Sequence, residues 1–178
     1  MLDCSRGAVM HLPALKRYID LLAKMGYKTL MLYTEDTYEI EEEPYFGYRR
    51  GKYTVKELRE VDAYAAERGI ELMPCIQTLA HLDGLMRWSR FRPFLDTDNI
   101  LLVDDDRTYE LIEHMFASLE KSFTSRRVHI GMDEAYRVGL GKFLAEHGFE
   151  NRTEILLRHL SRVTEIAARH GFRPMMWS

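Results

Sequence analysis

Three stretches of the chain repeat one pattern: an amphipathic helix closes on glycine, and within a few residues a dense apolar run begins. The first is Met25-Gly26-Tyr27-Lys28 followed by Thr29-Leu30-Met31-Leu32-Tyr33. The second is Arg68-Gly69 followed by Ile70 to Ile76, and the third is His170-Gly171-Phe172-Arg173 followed by Pro174-Met175-Met176-Trp177. Glycine just past a helix permits the left-handed backbone that closes its last turn. A fourth apolar run, Val128-His129-Ile130-Gly131-Met132, falls between the second and third, and a fifth opens the chain at Met1-Leu2-Asp3-Cys4. The intervening helices are predicted from apolar spacing and start signals. They cover 13–25 with Pro13 in the first turn, 54–68 with a Thr54/Glu57 capping box, 108–122 opened by Thr108, and 153–170 opened by Thr153. Strict alternation of strands with long helical crossovers predicts an α/β fold with a parallel sheet. Residues 37–53 and 78–107 are long strand-to-helix connections, and loops of that length are usually functional.

The chain has 178 residues, 46% of them apolar and 30% charged, which is globular composition and excludes a disordered or collagen-like chain. With a net charge of −3 and no basic run, neither nucleic acid nor a membrane surface is expected as a partner. No apolar run approaches the roughly 18 residues of a spanning helix. Charged residues arrive at Asp3 and Arg6, before any leader-like apolar stretch, so a cytoplasmic location is expected. Two cysteines, Cys4 and Cys75, cannot by themselves make a disulfide framework or a four-ligand zinc site, and both are expected to be buried.

In parallel α/β folds the binding site gathers at the carboxyl ends of the strands. Those ends carry Asp3, Ser5 and Arg6; then Thr34-Glu35-Asp36; then Gln77-Thr78, reaching His81; then Asp133-Glu134; and finally Trp177. The amino ends carry no comparable set, and that asymmetry points to an enzyme. Asp133 and Glu134 end an apolar strand, although one carboxylate capping the next helix and the other pairing Arg137 is the plainer alternative. Neighbours on a strand face opposite sides, so the two cannot readily flank one sugar bond as an acid and nucleophile about 5 to 9 Å apart do. Arg6 offers a planar fork of donors suited to vicinal hydroxyls or a carboxylate, or an ion pair with Asp3 or Glu35. Trp177 suits stacking on a sugar face or core packing. A metal site built on His81, His129 and Asp133 is disfavoured, because no ligand pair has helical i, i+4 spacing.

Taken together, these strand ends resemble family 20 glycoside hydrolases, the β-N-acetylhexosaminidases. The resemblance rests on Leu2-Asp3-Cys4-Ser5-Arg6, Ala65 to Pro74, His81, His129-Ile130-Gly131-Met132-Asp133-Glu134 and Met176-Trp177-Ser178, and it covers essentially the whole chain. Strand two, Leu32-Tyr33-Thr34-Glu35-Asp36, and the loop Thr78-Leu79-Ala80-His81 depart from the commoner family pattern and are similar to a divergent bacterial branch.

The resemblance implies a TIM-type (β/α) barrel, with residues 1–178 supplying about the first five of its eight units and the C-terminal units absent. An isolated five-unit chain is expected to be poorly soluble or self-associating, and inactive. The resemblance also implies exo-acting removal of terminal β-linked N-acetylglucosamine or N-acetylgalactosamine by a retaining, substrate-assisted mechanism. Glu134 would be the acid and base, and Asp133 would hold the acetamide nitrogen. Arg6 would bind hydroxyls and Trp177 would wall the acetamide methyl, with Glu35, Asp36 and His81 completing the substrate-binding set. The implied partner is a carbohydrate with a terminal N-acetylhexosamine. No metal or organic cofactor is implied, and a homodimer is left open. The alternative is a barrel fragment that binds sugar without catalysis; it would keep Arg6 and Trp177 but have no need of Glu134.

Overall fold

The computed structural model describes residues 1–7 and 9–177; Ser178, the last residue of the Met176-Trp177-Ser178 motif, lies outside them. Its main sheet contains β1 (Leu2–Asp3), β2 (Thr29–Tyr33), β3 (Glu71–Cys75), β6 (Arg127–His129) and β7 (Arg173–Met175). The order β1-β2-β3-β6-β7 is sequential and every pairing is parallel. These are the successive units of a β/α barrel sheet. Each crossover carries a helix: α1 (Leu12–Lys24), α2 (Val55–Ala66), α3 (Asp106–Ser122) and α5 (Arg152–Arg169). The helices bury Leu15, Ile19, Val61, Ile112, Met115, Phe116, Val163 and Ile166 against Leu30, Leu32, Leu72 and Val128 of the strands.

The start signals behave unequally. The Thr54/Glu57 capping box forms in both directions. Thr108 does not open α3; Asp105 caps it by accepting from Arg107 N–H, and the Thr108 hydroxyl donates to the Leu102 carbonyl instead. Thr153 likewise yields to Asn151, whose side chain accepts from Thr153 N–H and opens α5. In both cases an Asx residue two or three positions upstream already satisfies the free N–H groups.

Two strands stop well short of their expected carboxyl ends. The fourth expected strand, 128–132, leaves the sheet after His129, and the fifth ends at Met175 rather than Trp177. The 78–107 connection holds an antiparallel hairpin, β4 (Leu95–Thr97) and β5 (Ile100–Leu101), and a short helix α4 (Lys142–His147) follows the 130–141 segment. Neither was predicted. Among the described residues no helix is long and apolar enough to cross a membrane.

One buried side chain ties the helix layer to the functional end. His159 of α5 is fully buried; its Nε2–H donates 3.0 Å to the Thr78 carbonyl and its Nδ1 accepts 3.2 Å from the Tyr109 hydroxyl. Burial pushes this imidazole down from 6.5 to about 4. The folded chain therefore keeps His159 neutral down to about pH 4, whereas an unfolded chain takes up the proton near 6.5. The resulting stabilisation is complete above 6.5 and is lost as the pH falls toward 4, a loss of about 3 kcal/mol. His159→Gln keeps an N–H for Thr78 but does not titrate. Urea unfolding is expected to show the wild type losing its advantage over this variant between pH 6.5 and 4, and a constant gap would contradict the assignment.

Candidate active site

The carboxyl ends of four strands meet in a circuit of hydrogen bonds that a close His81–Asp133 contact completes. Gln77, beyond β3, donates through Nε2 to Asp133 Oδ1 at 2.8 Å and to the Tyr33 hydroxyl at 3.1 Å. Tyr33 donates to Glu35 Oε1 at 3.2 Å, and Arg6 Nε donates to the same oxygen at 3.1 Å. The Arg6 guanidinium also donates to His81 Nδ1 at 3.2 Å. Because Nδ1 faces a donor it accepts, so the imidazole proton sits on Nε2. That Nε2 lies 3.3 Å from Asp133 Oδ2 and 3.4 Å from Glu134 Oε2. Each member thus orients the next, which fixes polar groups before any ligand arrives.

This geometry corrects the expectation that Asp133 and Glu134 point to opposite sides. Alternation holds only within a strand, and β6 ends four residues earlier, at His129. Gly131, Met132 and Glu134 then take positive φ values of 71°, 69° and 54° and turn both carboxylates toward one imidazole edge. Only glycine enters that region freely, so the two non-glycine residues there store strain held by their surroundings. Gln77 supplies much of that hold: its Oε1 accepts from Met132 N–H at 3.2 Å, and a Cβ on Gly131 would overlap the same oxygen. His81 is also at positive φ, 57°.

The acidic and basic residues are unequally exposed. Asp133 is 31% exposed and doubly held, whereas Glu134 is 60% exposed and has room to approach a ligand. Burial raises the Glu35 carboxyl against the opposing pull of Arg6. Beside Arg6 and Glu35 opens a cleft of about 440 Å³, lined also by Arg50, Asp83 and Arg87.

Two expected residues sit differently. Asp36 is buried away from this circuit: Arg50 Nη1 donates to it at 2.6 Å while the second Arg50 nitrogen reaches the Ser5 carbonyl, and a Cβ on Gly84 would overlap the Asp36 carboxylate. Its carboxylate is consumed in packing the 37–53 loop onto the strand ends. Trp177 lies beyond β7, 36% exposed, with its backbone N–H donating to the Gly131 carbonyl and its ring 4.3 Å from that of His129. It flanks the turn that carries Asp133 without joining the circuit. Gln77 was visible as a polar strand end but had no assigned role, and its signal was an amide following the apolar run Leu72–Ile76. Cys4 and Cys75 are buried, and burial pushes their thiols up to about 11 and about 12, far from thiolate chemistry.

Known proteins carry the same arrangement of chain. A β-hexosaminidase of Vibrio furnissii is 30% identical over 177 residues, which cover 89% of this chain and 28% of that enzyme. In fold, the chain matches the GH20 β-N-acetylhexosaminidase of Streptomyces coelicolor A3(2) with a TM-score of 0.82 and 24% identity, over 99% of this chain and 38% of that one. It matches a GH20 exo-β-N-acetylglucosaminidase of Vibrio harveyi with a TM-score of 0.84 and 22% identity, over 100% of this chain and 34% of that one. The chain therefore spans roughly a third of the length of these relatives. The family description "Glycosyl hydrolase family 20, catalytic domain" matches residues 1–178 from end to end: the chain belongs to glycoside hydrolase family 20.

Proposed function

We propose that the protein is an exo-acting β-N-acetylhexosaminidase that hydrolyses terminal β-linked N-acetylhexosamine with retention, using the substrate's own acetamide as nucleophile. The observation that carries this reading is the side-by-side placement of Asp133 and Glu134 on one histidine nitrogen. Carboxylates so placed cannot work from opposite faces of a sugar ring as the two-carboxylate mechanism requires. A nucleophile belonging to the substrate resolves that difficulty.

In the first step the acetamido carbonyl oxygen bonds to the anomeric carbon as the bond from that carbon to the leaving oxygen breaks. Glu134 gives its proton to the leaving oxygen. Asp133, oriented by Gln77 and His81, accepts the acetamide N–H and offsets the positive charge that develops on the oxazolinium ring. In the second step water attacks the anomeric carbon, its proton passes to Glu134, and the acetamide is restored. Two inversions give net retention. In this reading Arg6, braced by Glu35, donates to hydroxyls of the terminal sugar, and Trp177 walls the acetamide methyl.

A site that pairs with a substrate N–H rejects an analogue lacking it by about 10⁴ or more in kcat/KM. An aryl β-N-acetylglucosaminide is therefore expected to be cleaved at least that much better than the matching plain β-glucoside. Comparable rates on the two would refute acetamide assistance.

A further inference from the structure

The β4–β5 hairpin touches both sides of the circuit without being part of it. On one side, Leu101 N–H donates to the Leu79 carbonyl at 2.9 Å and the Asn99 carbonyl accepts from Leu82 N–H at 3.4 Å, which grips the backbone on either side of His81. On the other side stands Asp96, buried, with a carboxylate that accepts three backbone N–H groups. Oδ2 accepts from Gly139 at 2.6 Å, and Oδ1 accepts from Gly141 at 3.2 Å and Phe143 at 2.8 Å. These donors belong to the segment that leaves Glu134. The approach is close enough that a Cβ on Gly141 would overlap the Asp96 carbonyl.

We propose that Asp96 is a positioning residue that sets the separation of His81 and Glu134. This inference rests on Glu134 being the proton donor. Backbone bonds to Met175, Thr78 and Trp177 hold Ile130 and Gly131, but from 132 to 141 no sheet ladder locates the segment, and the chain passes through positive φ at Gly131, Met132, Glu134 and Gly139. Gln77 fixes its upstream end through Met132 and Asp133. Asp96 fixes its downstream end. Because the hairpin also holds the His81 backbone, it acts as one bracket between the histidine and the acid. A carboxylate serving only to cap α4 would need no bond to Gly139, which lies outside the helix.

The full-length protein tests this with two substrates, methyl and 2,4-dinitrophenyl β-N-acetylglucosaminide. The methyl glycoside needs its leaving oxygen protonated and the dinitrophenyl one does not. In Asp96→Asn an NH₂ group faces a backbone N–H, so the turn shifts. Misplacing a reacting group by about 1 Å costs on the order of 10²-fold. The kcat/KM on the methyl glycoside, which reports only steps up to departure of the leaving group, is thus expected to fall about 10- to 100-fold, with the dinitrophenyl kcat/KM within about threefold of wild type. In a Glu134→Gln background the same substitution is expected to add no further loss.

Equal losses on the two substrates, no loss on either, or a full extra loss on top of Glu134→Gln would overturn the proposal. Should Asp96→Asn fail to fold, Asp96→Glu keeps both acceptor oxygens and is read by the same criteria. If Glu134→Gln shows the leaving-group dependence and the Asp96 variants do not, only the positioning role fails. A wild type that cleaves neither substrate overturns this inference together with the proposed function.

Discussion

Glu134→Gln is expected to lower kcat by about 10² to 10⁴ on alkyl and disaccharide substrates, the range a positioned proton donor supplies. On dinitrophenyl glycosides the loss is expected to be small in the first step, because that leaving group departs as a stable anion. The physical basis is the exposure of this side chain. Among the described residues the Glu134 side chain has a single polar contact, at 3.4 Å to His81, and is 60% exposed, so the amide substitution disturbs little of the surrounding circuit. The variant is therefore expected to melt within a few degrees of wild type. A plot of log kcat/KM against leaving-group acidity checks the role: a steep slope for the variant beside a shallow one for wild type is expected. Parallel slopes would mean that Glu134 does not protonate the leaving oxygen.

Asp133→Asn is expected to lower kcat by about 10² to 10³, or roughly 3 to 4 kcal/mol of transition-state stabilisation. Two losses combine. The negative charge that offsets the oxazolinium disappears, and the substitution disturbs the circuit itself. Gln77 Nε2–H needs an acceptor at one oxygen and His81 Nε2–H needs one at the other. An asparagine can satisfy only one of them, and its NH₂ then confronts the second donor. The loss is expected in kcat more than in KM, and a neutral thiazoline mimic of the intermediate, which binds through the same carboxylate, is expected to bind the variant more weakly. Unchanged affinity for that mimic would contradict the role.

Much of this was legible in the chain before its structure. Glycine-closed helices followed by apolar runs located three of the five sheet strands, and two further apolar runs, one between them and one opening the chain, located the others. Reading only strand ends collected Arg6, Glu35, His81 and the two adjacent acids. The failures have a common cause, which is that they depend on contacts between segments far apart in sequence. Glu35 and Asp36 are neighbouring acids; which faces the circuit is decided by Arg50, 14 residues downstream in an irregular loop. The relative direction of Asp133 and Glu134 depends on positive φ at Met132 and Glu134, which no side-chain preference announces; Gly131 was the one visible hint. The displaced helix starts followed from treating threonine as the cap where an Asx residue stood just upstream. The β4–β5 hairpin is too short for its alternation to register, and it is stabilised by Asp96 and the Leu79–Leu82 backbone rather than by its own pattern.

Acetamide participation is the central claim, and one substrate series tests it most directly. Aryl glycosides carrying N-acetyl, N-fluoroacetyl, N-difluoroacetyl and N-trifluoroacetyl groups differ little in size, while each fluorine withdraws electrons from the carbonyl oxygen that is required to attack. The account predicts a steep, monotonic fall in kcat/KM along the series, with the trifluoroacetyl compound nearly inert. A flat series would show that the carbonyl oxygen does not attack the anomeric carbon, and the adjacent carboxylates on His81 would need a different explanation.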